Sequence, residues 1–314
     1  MIIVSFNLET LQKQISGGED LSSIVRTMKA LAATSVRQYE KAAEALDDYY
    51  HTVEMGLSVV LESRRERPVK RRGEEERPVL MLVFGSDHGL AGSFNEQIVY
   101  YALGKHWAVT EETLPANRIV AGIGEQVISR IRAAGTGQEE GFNMPTSIEA
   151  ITPFVQLLLQ RIDRWRTEKG TQRVFLFYNR PQTNGFSPRG EILLPVNLEQ
   201  IRETRRQWHS RSLPVYTMPA GELLSALLRQ FFFVGVYRAC ALSLAAENIS
   251  RLAAMQAAEK NIDERLTELK TAYQQERQAV ITEELLDIVS GFKAGMSRKR
   301  EDDEVTDNGK EKSY

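Results

Sequence analysis

The segment 222–293 constrains the fold of this chain more than any other part of its sequence. It contains no proline, and it predicts a single helix of about 72 residues, about 108 Å long at 1.5 Å per residue. A helix of that length does not fit inside a compact domain. Its apolar residues form a narrow seam with steps of three and four, whereas charged residues occupy the remaining faces. The seam consists of Leu252, Met255, Ile262, Leu266, Leu269 and Tyr273. A narrow seam predicts one partner helix.

The N-terminal part of the chain offers that partner. No proline occurs in residues 8–61, and apolar or small residues repeat there at helical spacing. The repeating positions are Leu21, Ile24, Val25, Met28, Leu31, Ala32, Ser35 and Tyr39. Gly17 and Gly18 predict a kink or a cap near the start of this helix. The economical architecture is an antiparallel two-helix coiled coil formed by the two ends of the chain.

Between these helices the sequence period changes. The run Val79–Phe84 is continuously apolar and has the length of a strand. Similar runs occur at 119–121 and 173–178, and a further strand is expected at 191–196, after the turn-rich stretch 181–190. Helical patterns separate the runs, near 95–105, 125–134 and 148–166. Strands that alternate with helices predict a mostly parallel sheet covered on both faces, which is a Rossmann-like α/β domain inserted between the helices.

The patterns predict four regions along the chain. They are an N-terminal coiled-coil helix 1–67, an inserted α/β domain 78–214, a C-terminal coiled-coil helix 220–295 and a flexible charged tail 296–314. The charged run 64–77 predicts a solvated loop, and the polar composition of the tail predicts a lack of fixed structure.

Composition excludes several kinds of function. Forty Lys and Arg residues against 42 Asp and Glu give a net charge of −2, which provides no overall field that attracts nucleic acid or an anionic membrane. A single cysteine, Cys240, excludes internal disulfides and cysteine-based zinc sites. The four histidines lack metal-ligand spacing, and no window approaches the ~18 continuous apolar residues of a membrane span. We therefore expect a soluble protein with no metal site, no cofactor and no direct membrane span.

The glycine-rich segment GSDHGLAGSF, residues 85–94, invites comparison with a phosphate-binding loop because it lies between a strand and a helix. It lacks the Gly-Lys-Ser/Thr ending of a P-loop and does not fit GxGxxG, so structural turns are favoured. Asp87 and His88 could form an acid/base pair, but adjacent side chains on a turn tend to diverge. An α/β enzyme that uses its helices as a dimerisation arm is an alternative, and a passive coiled-coil scaffold is a third interpretation.

Three segments carry a resemblance to a known family. TMKALAATS at 27–35 resembles "AMKMVAAS", and SDHGLAGSFN at 86–95 is similar to "SDRGLCGGLN". The third segment is RLAAMQAAEKN at 251–261, followed by YQQERQAVITEELLDIVSG at 273–291. Over nearly its whole length the chain resembles the gamma subunit of F-type ATP synthases.

The resemblance implies a rotor without a catalytic site of its own. Both chain ends would penetrate a ring of alternating alpha-type and catalytic beta-type subunits, and the α/β domain would lie outside it, near the membrane c-type ring and an epsilon-type stalk subunit. The shaft would transmit torque as it rotates. The complex would be peripheral to the cytoplasmic face of the inner membrane of a bacterium or archaeon.

The resemblance also implies which residues contact the catalytic ring: Met28, Lys29, Arg251, Gln278, Thr282 and Asp287. Judged by residue type alone, Met28 is a core methionine of the coiled coil, Arg251 is an exposed cation, and Gln278 and Thr282 are ordinary helix surface. Both interpretations can hold for Met28.

The chain departs from the family pattern at several positions. Gly17 and Gly18 stand where the family usually continues its helix, Ala91 replaces a common cysteine, and Phe292 stands where the family prefers alanine. The chain also continues for 23 residues after Gly291 (residues 292–314). These departures predict a divergent, variant F-type complex.

Overall fold

The computed structural model describes residues 2–63, 78–104, 118–135, 138–196, 201 and 215–308. In chain order, the elements of this described part are α1 (Ile2–Ser63), β1 (Val79–Phe84), α2 (Phe94–Leu103), β2 (Arg118–Ile123), α3 (Glu125–Ala133), β3 (Gln138–Phe142), α4 (Ile148–Lys169), β4 (Arg173–Gln182), β5 (Gly185–Leu194) and α5 (Ala220–Asn308).

The chain divides into two compact units, and each contains part of both long helices. The helical unit comprises Met1–Thr27 and Ala257–Tyr314, and the α/β unit comprises Met28–Gln256. The division into four regions that the sequence suggested stays a prediction.

In the helical unit, α1 and α5 pack antiparallel. The Lys270 Nζ lies 2.7 Å from the Glu19 Oε1, whereas the Arg26 Nε lies 3.1 Å from the Glu259 Oε1, so residue numbers fall along α5 as they rise along α1. Exposed ion pairs of this kind contribute ~1 kcal/mol or less each. Apolar burial between the helices supplies the rest of the stabilisation. The buried side chains at this contact are Ser22, Val25, Leu266 and Leu269. The predicted antiparallel helix pair is confirmed.

The predicted interruption at Gly17 and Gly18 is wrong, because α1 continues through both residues. A Cβ atom at Gly18 would lie 2.8 Å from the Leu266 Cδ2, whereas one at Gly17 would have nothing within 4 Å. Gly18 therefore permits a close approach of α5. The low helix propensity of the two glycines does not interrupt α1, because packing along the rest of the helix stabilises it by more than the glycines cost.

Two leucine substitutions test this close approach. We expect Gly17→Leu to raise the free energy of unfolding by ~0.5–1 kcal/mol, because it removes a flexible residue from an exposed helix position. Gly18→Leu gains the same stability from its higher helix propensity, but its side chain must displace Leu266, which lowers the free energy of unfolding by ~1–3 kcal/mol. Thermal unfolding followed by circular dichroism compares the two variants. Equal shifts in Tm would show that α5 does not pack closely on Gly18.

The α/β unit is built on a five-stranded sheet in the order β3-β2-β1-β4-β5. The first four strands are parallel, and β5 is antiparallel to β4, so the mostly parallel sheet is confirmed. On one face, alternate β1 residues such as Leu82 pack with α4 and with segments of α1 and α5. On the other face, residues such as Met81 pack with α2 and α3. Burial on both faces explains why β1 is a continuous apolar run.

The two edge strands depart from the predictions. The sequence of β3, QEEGF, has no apolar run and was not predicted as a strand. The strand predicted at 191–196 begins earlier, at Gly185, because the turn-rich stretch pairs antiparallel with β4. Its proline, Pro188, is tolerated because β5 is an edge strand of the described sheet, in which it pairs with β4 alone.

Helix α5 is longer than predicted and continues to Asn308, so the expectation that residues from Ser297 onward lack fixed structure is wrong as far as Asn308. No proline occurs in this part of the sequence to interrupt the helix. Residues 309–314 and the predicted loop 64–77 lie outside the described residues.

Part of α5, within Ala220–Lys293, is long and apolar enough to cross a membrane by length and composition alone. A core helix in a protein that does not span a membrane meets the same criterion, but such a helix is mostly buried. In this chain 22% of the apolar stretch is buried. Here Val234, Val236 and Cys240 are buried within the α/β unit. The apolar stretch is therefore weak evidence for a span.

Candidate partner-contact site

The loop 85–94, which follows β1, uses its polar groups to hold the α/β unit together. The Asp87 Oδ1 accepts a hydrogen bond from the Glu125 backbone N–H at 3.1 Å, and its Oδ2 accepts one from the Met144 N–H at 3.0 Å. The carboxylate thus lies at the N-terminus of α3, where the helix dipole favours a negative charge. His88 is exposed. Asp87 acts as a structural bridge between three segments, which supports the structural interpretation of the loop.

Backbone groups of this loop are also engaged internally. The Ser86 N–H donates to the Asn95 Oδ1 at 3.0 Å, and the Asn95 Nδ2 donates to the Ser86 Oγ at 2.8 Å. Gly124 has a φ of +103°, and a Cβ there would lie 2.7 Å from the Ser86 backbone nitrogen. In a phosphate-binding loop such N–H groups point at the anion. In this loop the Ser86 N–H points at Asn95 instead.

The loop is anchored on α5. The Oγ of Ser250, on α5, donates to the Ala91 carbonyl oxygen at 2.6 Å. The Phe94 ring packs edge-on against Phe186 of β5, with the ring centroids 5.4 Å apart. Ala91 is 2% exposed and belongs to the same cluster as Phe94 and Ala246. The position at which the family commonly has cysteine is therefore part of the contact between the loop and α5.

Arg251 lies one residue beyond this anchor and is not the exposed cation that its residue type suggests. Its Nη2 donates to the Glu247 Oε1 at 2.5 Å, and its Nη1 lies 3.5 Å from the Asn248 Oδ1. The Arg251 side chain is 15% exposed and that of Glu247 is 8% exposed. Burial raises the pKa of Glu247, and the Arg251 guanidinium lowers it in part.

Met28 and Lys29 are half-buried on α1. The apolar positions of this helix, which the helical spacing predicts on a single face, divide into two sets. Val25, Ala32 and Tyr39 are buried, whereas Leu21, Ile24 and Leu31 are more than half exposed. The exposed set was missed because helical spacing alone does not show which part of a broad apolar face meets the partner helix.

Gln278, Thr282 and Asp287 are exposed on α5 in the helical unit. The Thr282 Oγ1 donates to the Gln278 carbonyl oxygen at 2.8 Å, one turn earlier in the helix. Exposed apolar residues lie among them, of which only Phe292 stands out in the sequence, as a departure from the family pattern. We call these the C-terminal apolar face: Ile281, Leu285, Ile288 and Phe292, which are 47%, 58%, 68% and 71% exposed. Their steps of four, three and four place them on one side of the helix, and this spacing could have revealed them.

The structure therefore places the predicted contact residues in two groups. Met28, Lys29 and Arg251 belong to the α/β unit, and Gln278, Thr282 and Asp287 belong to the helical unit. Among the residues that the structure describes, no group of three or more His, Cys, Asp and Glu side chains could hold a metal ion. Burial raises the pKa of the Cys240 thiol, as expected for a packed and unreactive side chain.

Comparison with known proteins places these features in a family. The family model described as ATP synthase matches residues 7–294. A protein of Thermobifida fusca (strain YX), named ATP synthase gamma chain, is 25% identical over 295 residues, which cover 91% of this chain and 96% of that protein.

Two solved structures of the Euglena gracilis mitochondrial ATP synthase share the fold. A chain of its rotor in rotational state 1 matches with a TM-score of 0.59 and 14% identity, covering 88% of this chain and 99% of that one. A chain of the OSCP/F1/c-ring structure in rotational state 3 matches with a TM-score of 0.60 and 15% identity, covering 94% and 96%. Because the family model spans both long helices and the whole described sheet between them, this chain belongs to the ATP synthase family.

Proposed function

We propose that this chain is the gamma-type central-stalk subunit of an F-type ATP synthase. As the rotor, it transmits torque between a membrane ion-translocating ring and the catalytic ring that makes or hydrolyses ATP. The observation that carries the proposal is the match over residues 7–294, because it takes in the antiparallel helix pair and the α/β unit together. The T. fusca relative, which is named as a gamma chain, aligns over 96% of its own length.

The helix pair suits a rotor. A shaft changes the affinity of a catalytic site for nucleotide only if its contacts with that site differ between rotational states. Two helices with unlike exposed side chains present a different surface in each direction, so each catalytic subunit meets a different set of contacts as the shaft turns. The chain itself is non-catalytic in this proposal. The engagement of Asp87 in two backbone hydrogen bonds supports this part.

We assign the contact with the catalytic ring to both groups of predicted residues. Gln278, Thr282 and Asp287 offer hydrogen bonds and charge beside the C-terminal apolar face, whose exposed side chains gain stability when an apolar surface covers them. Phe292 belongs to this face and packs against the ring. Arg251, with Met28 and Lys29, contributes a second contact.

The partners in this proposal are alpha-type and beta-type ring subunits, a c-type membrane ring and an epsilon-type stalk subunit. The Euglena gracilis structure that comprises OSCP, F1 and a c-ring contains a chain of the same fold, which supports a catalytic ring and a c-type ring as partners. The complex is membrane-associated, and we place it at the cytoplasmic face of a bacterial or archaeal inner membrane. The bacterial origin of the T. fusca relative supports this placement.

Reconstitution tests the proposal. The complex is assembled from its own subunits in vesicles, with and without this chain, and ATP-driven ion transport is measured. We expect transport only when the chain is present and no ATPase activity from the chain alone. Full ion transport without the chain would refute the proposal. ATP hydrolysis by the isolated chain would instead favour the α/β enzyme alternative.

A single substitution tests the C-terminal apolar face. Ile288→Asp places a charge where the proposal requires an apolar contact, and we expect at least a ~10-fold loss of affinity for the assembled alpha–beta ring. Glu283→Gln, at an exposed polar position on the opposite side of the helix, serves as the control. Co-purification of the chain at graded concentrations with the ring measures the affinity. Equal retention of both variants would exclude this face from the interface.

A further inference from the structure

Glu247 is a buried acidic residue to which neither the family match nor the predicted contacts assign a role. It lies on α5 one helical turn before Arg251, and its side chain is 8% exposed. A carboxylate at this depth requires a charged or hydrogen-bonding partner. The Arg251 Nη2 supplies one at 2.5 Å. The order, with the acid four residues before the base, is the favourable orientation for such a pair in a helix.

The remaining groups around Glu247 come from two other elements. Asp87 and His88 face it from the loop after β1, and Tyr39 faces it from α1. Asp87 is repulsive, and its own oxygens are bonded to the N–H groups of Glu125 and Met144. On its own helix Glu247 also faces the Cys240 thiol, which lacks a charge at neutral pH because burial raises its pKa. Arg251 is therefore the residue that compensates the Glu247 charge most directly.

The pair also fixes Arg251. A guanidinium carries five N–H donors in a planar fork. Glu247 takes one of them on Nη2, and the Asn248 Oδ1 lies 3.5 Å from Nη1. The preceding residue, Ser250, is itself fixed by its 2.6 Å hydrogen bond to the Ala91 carbonyl oxygen. The guanidinium is thus held in one orientation, with donors that neither Glu247 nor Asn248 uses.

We propose that Glu247 is a positioning residue that holds Arg251 ready to bind a carboxylate of a catalytic-ring subunit. The inference rests on the proposed function, because it takes Arg251 to be a contact with the ring. A planar, fixed fork recognises carboxylates through paired hydrogen bonds, which identifies an acidic side chain as the partner group. Without Glu247 the long Arg251 side chain samples other rotamers, and the contact forms less often in each rotation.

A double-mutant cycle in the reconstituted complex tests whether Glu247 acts through Arg251. We expect Arg251→Ala and Glu247→Ala each to lower ATP-driven ion transport by a similar factor, about three- to tenfold. The variant with both substitutions should be no worse than Arg251→Ala. Glu247→Gln keeps an acceptor for Arg251 and should recover part of the loss. Glu268→Ala removes an exposed acid, which pairs with Arg265 on the same helix, and serves as the control.

The outcomes separate this inference from the proposed function. If the two single losses of ion transport multiply in the double variant, or if Arg251→Ala lowers transport and Glu247→Ala does not, the positioning role of Glu247 is overturned. The ring contact of Arg251 is left intact by either result. Unchanged transport in Arg251→Ala would overturn both the ring contact of Arg251 and the positioning role of Glu247. Reconstitution with and without the whole chain would still decide whether the chain is the rotor. Circular dichroism and recovery of assembled complex confirm that each variant folds and assembles.

A pH series on the isolated chain supplies a readout that lost packing alone would not move. Burial raises the pKa of folded Glu247 above its ordinary value of 4.5. When a carboxyl group has a higher pKa in the folded than in the unfolded chain, the unfolded chain releases the proton first as the pH rises. The fold is therefore destabilised progressively as the pH rises from the pKa of the unfolded state through the pKa of the folded state. We therefore expect the Tm of Glu247→Gln to rise relative to the wild-type Tm as the pH is raised above about 4.5. A difference in Tm that does not change with pH would overturn the assignment of Glu247 as a buried ionising group.

Discussion

Gly85→Ala should lower the free energy of unfolding of the α/β unit by ~3 kcal/mol or more. A Cβ at this position would lie 2.0 Å from the Val127 Cγ2 and 2.7 Å from the Asn95 Oδ1. Overpacking a core costs ~1–3 kcal/mol and sometimes more. Any shift of Asn95 also weakens its hydrogen bond with the Ser86 N–H, which would leave a buried donor unsatisfied. Urea unfolding of the full chain, followed by tryptophan fluorescence, measures the change.

Two variants make this prediction specific. Gly89→Ala lies in the same loop, where a Cβ meets nothing within 4 Å, and should change stability by less than ~0.5 kcal/mol. Val127→Ala removes the Cγ2 that makes the shortest contact, so the combination with Gly85→Ala should be more stable than the sum of the two separate losses implies. Additive losses, or equal effects of the two glycine substitutions, would contradict the described packing of β1 against α3.

Asp87→Ala should cost a comparable amount, ~3 kcal/mol, because two backbone N–H groups lose a charged acceptor. One belongs to Glu125 at the start of α3, and the other belongs to Met144 between β3 and α4. The change would loosen three segments at once, and we expect a lower midpoint of urea unfolding.

Asp87→Asn is the informative companion. Its side chain keeps one acceptor oxygen and replaces the other with an N–H donor, so one of the two hydrogen bonds is lost and the loss of stability should lie between those of wild type and Asp87→Ala. Asp163→Ala, at an exposed side chain, should have little effect. A variant at Asp87 with unchanged stability would contradict the structural role and would favour the acid/base alternative for this loop.

The core of the α/β unit was predictable because its local signals agree with its packing. The strand β1 is apolar at every residue and is buried on both faces. The helix α4 begins after Ser147, whose Oγ accepts the Ala150 N–H at 3.4 Å, and ends at Gly170, which has a φ of +68°. These are the residue types that such helix ends favour. In contrast, β3 is mostly polar and lies at an edge of the sheet as far as the described residues show, so its pairing with β2 determines it.

The candidate site was predictable only in part. The spacing of Glu247 and Arg251 is visible in the sequence, but the burial of the pair depends on neighbours that are distant in sequence. Similarly, helical spacing predicted the apolar positions of α1 without separating Val25, which is buried, from Leu21, which is exposed. The resemblance supplied Gln278, Thr282 and Asp287, and their role stays a proposal. The tight approach at Gly18 required knowledge of the facing residue.

The antiparallel pairing of the chain ends has a consequence for biosynthesis. Arg26 and its partner Glu259 are separated by 233 residues. At roughly 5–20 residues per second, a ribosome needs about 10–50 s to make the stretch between such partners. Throughout that interval α1 is present without α5, and the apolar side chains that α5 later covers stand in water. Contacts of such long range also form slowly. The nascent chain is therefore most exposed to aggregation at its first-made helix, and binding by a chaperone or by already assembled subunits would protect it there.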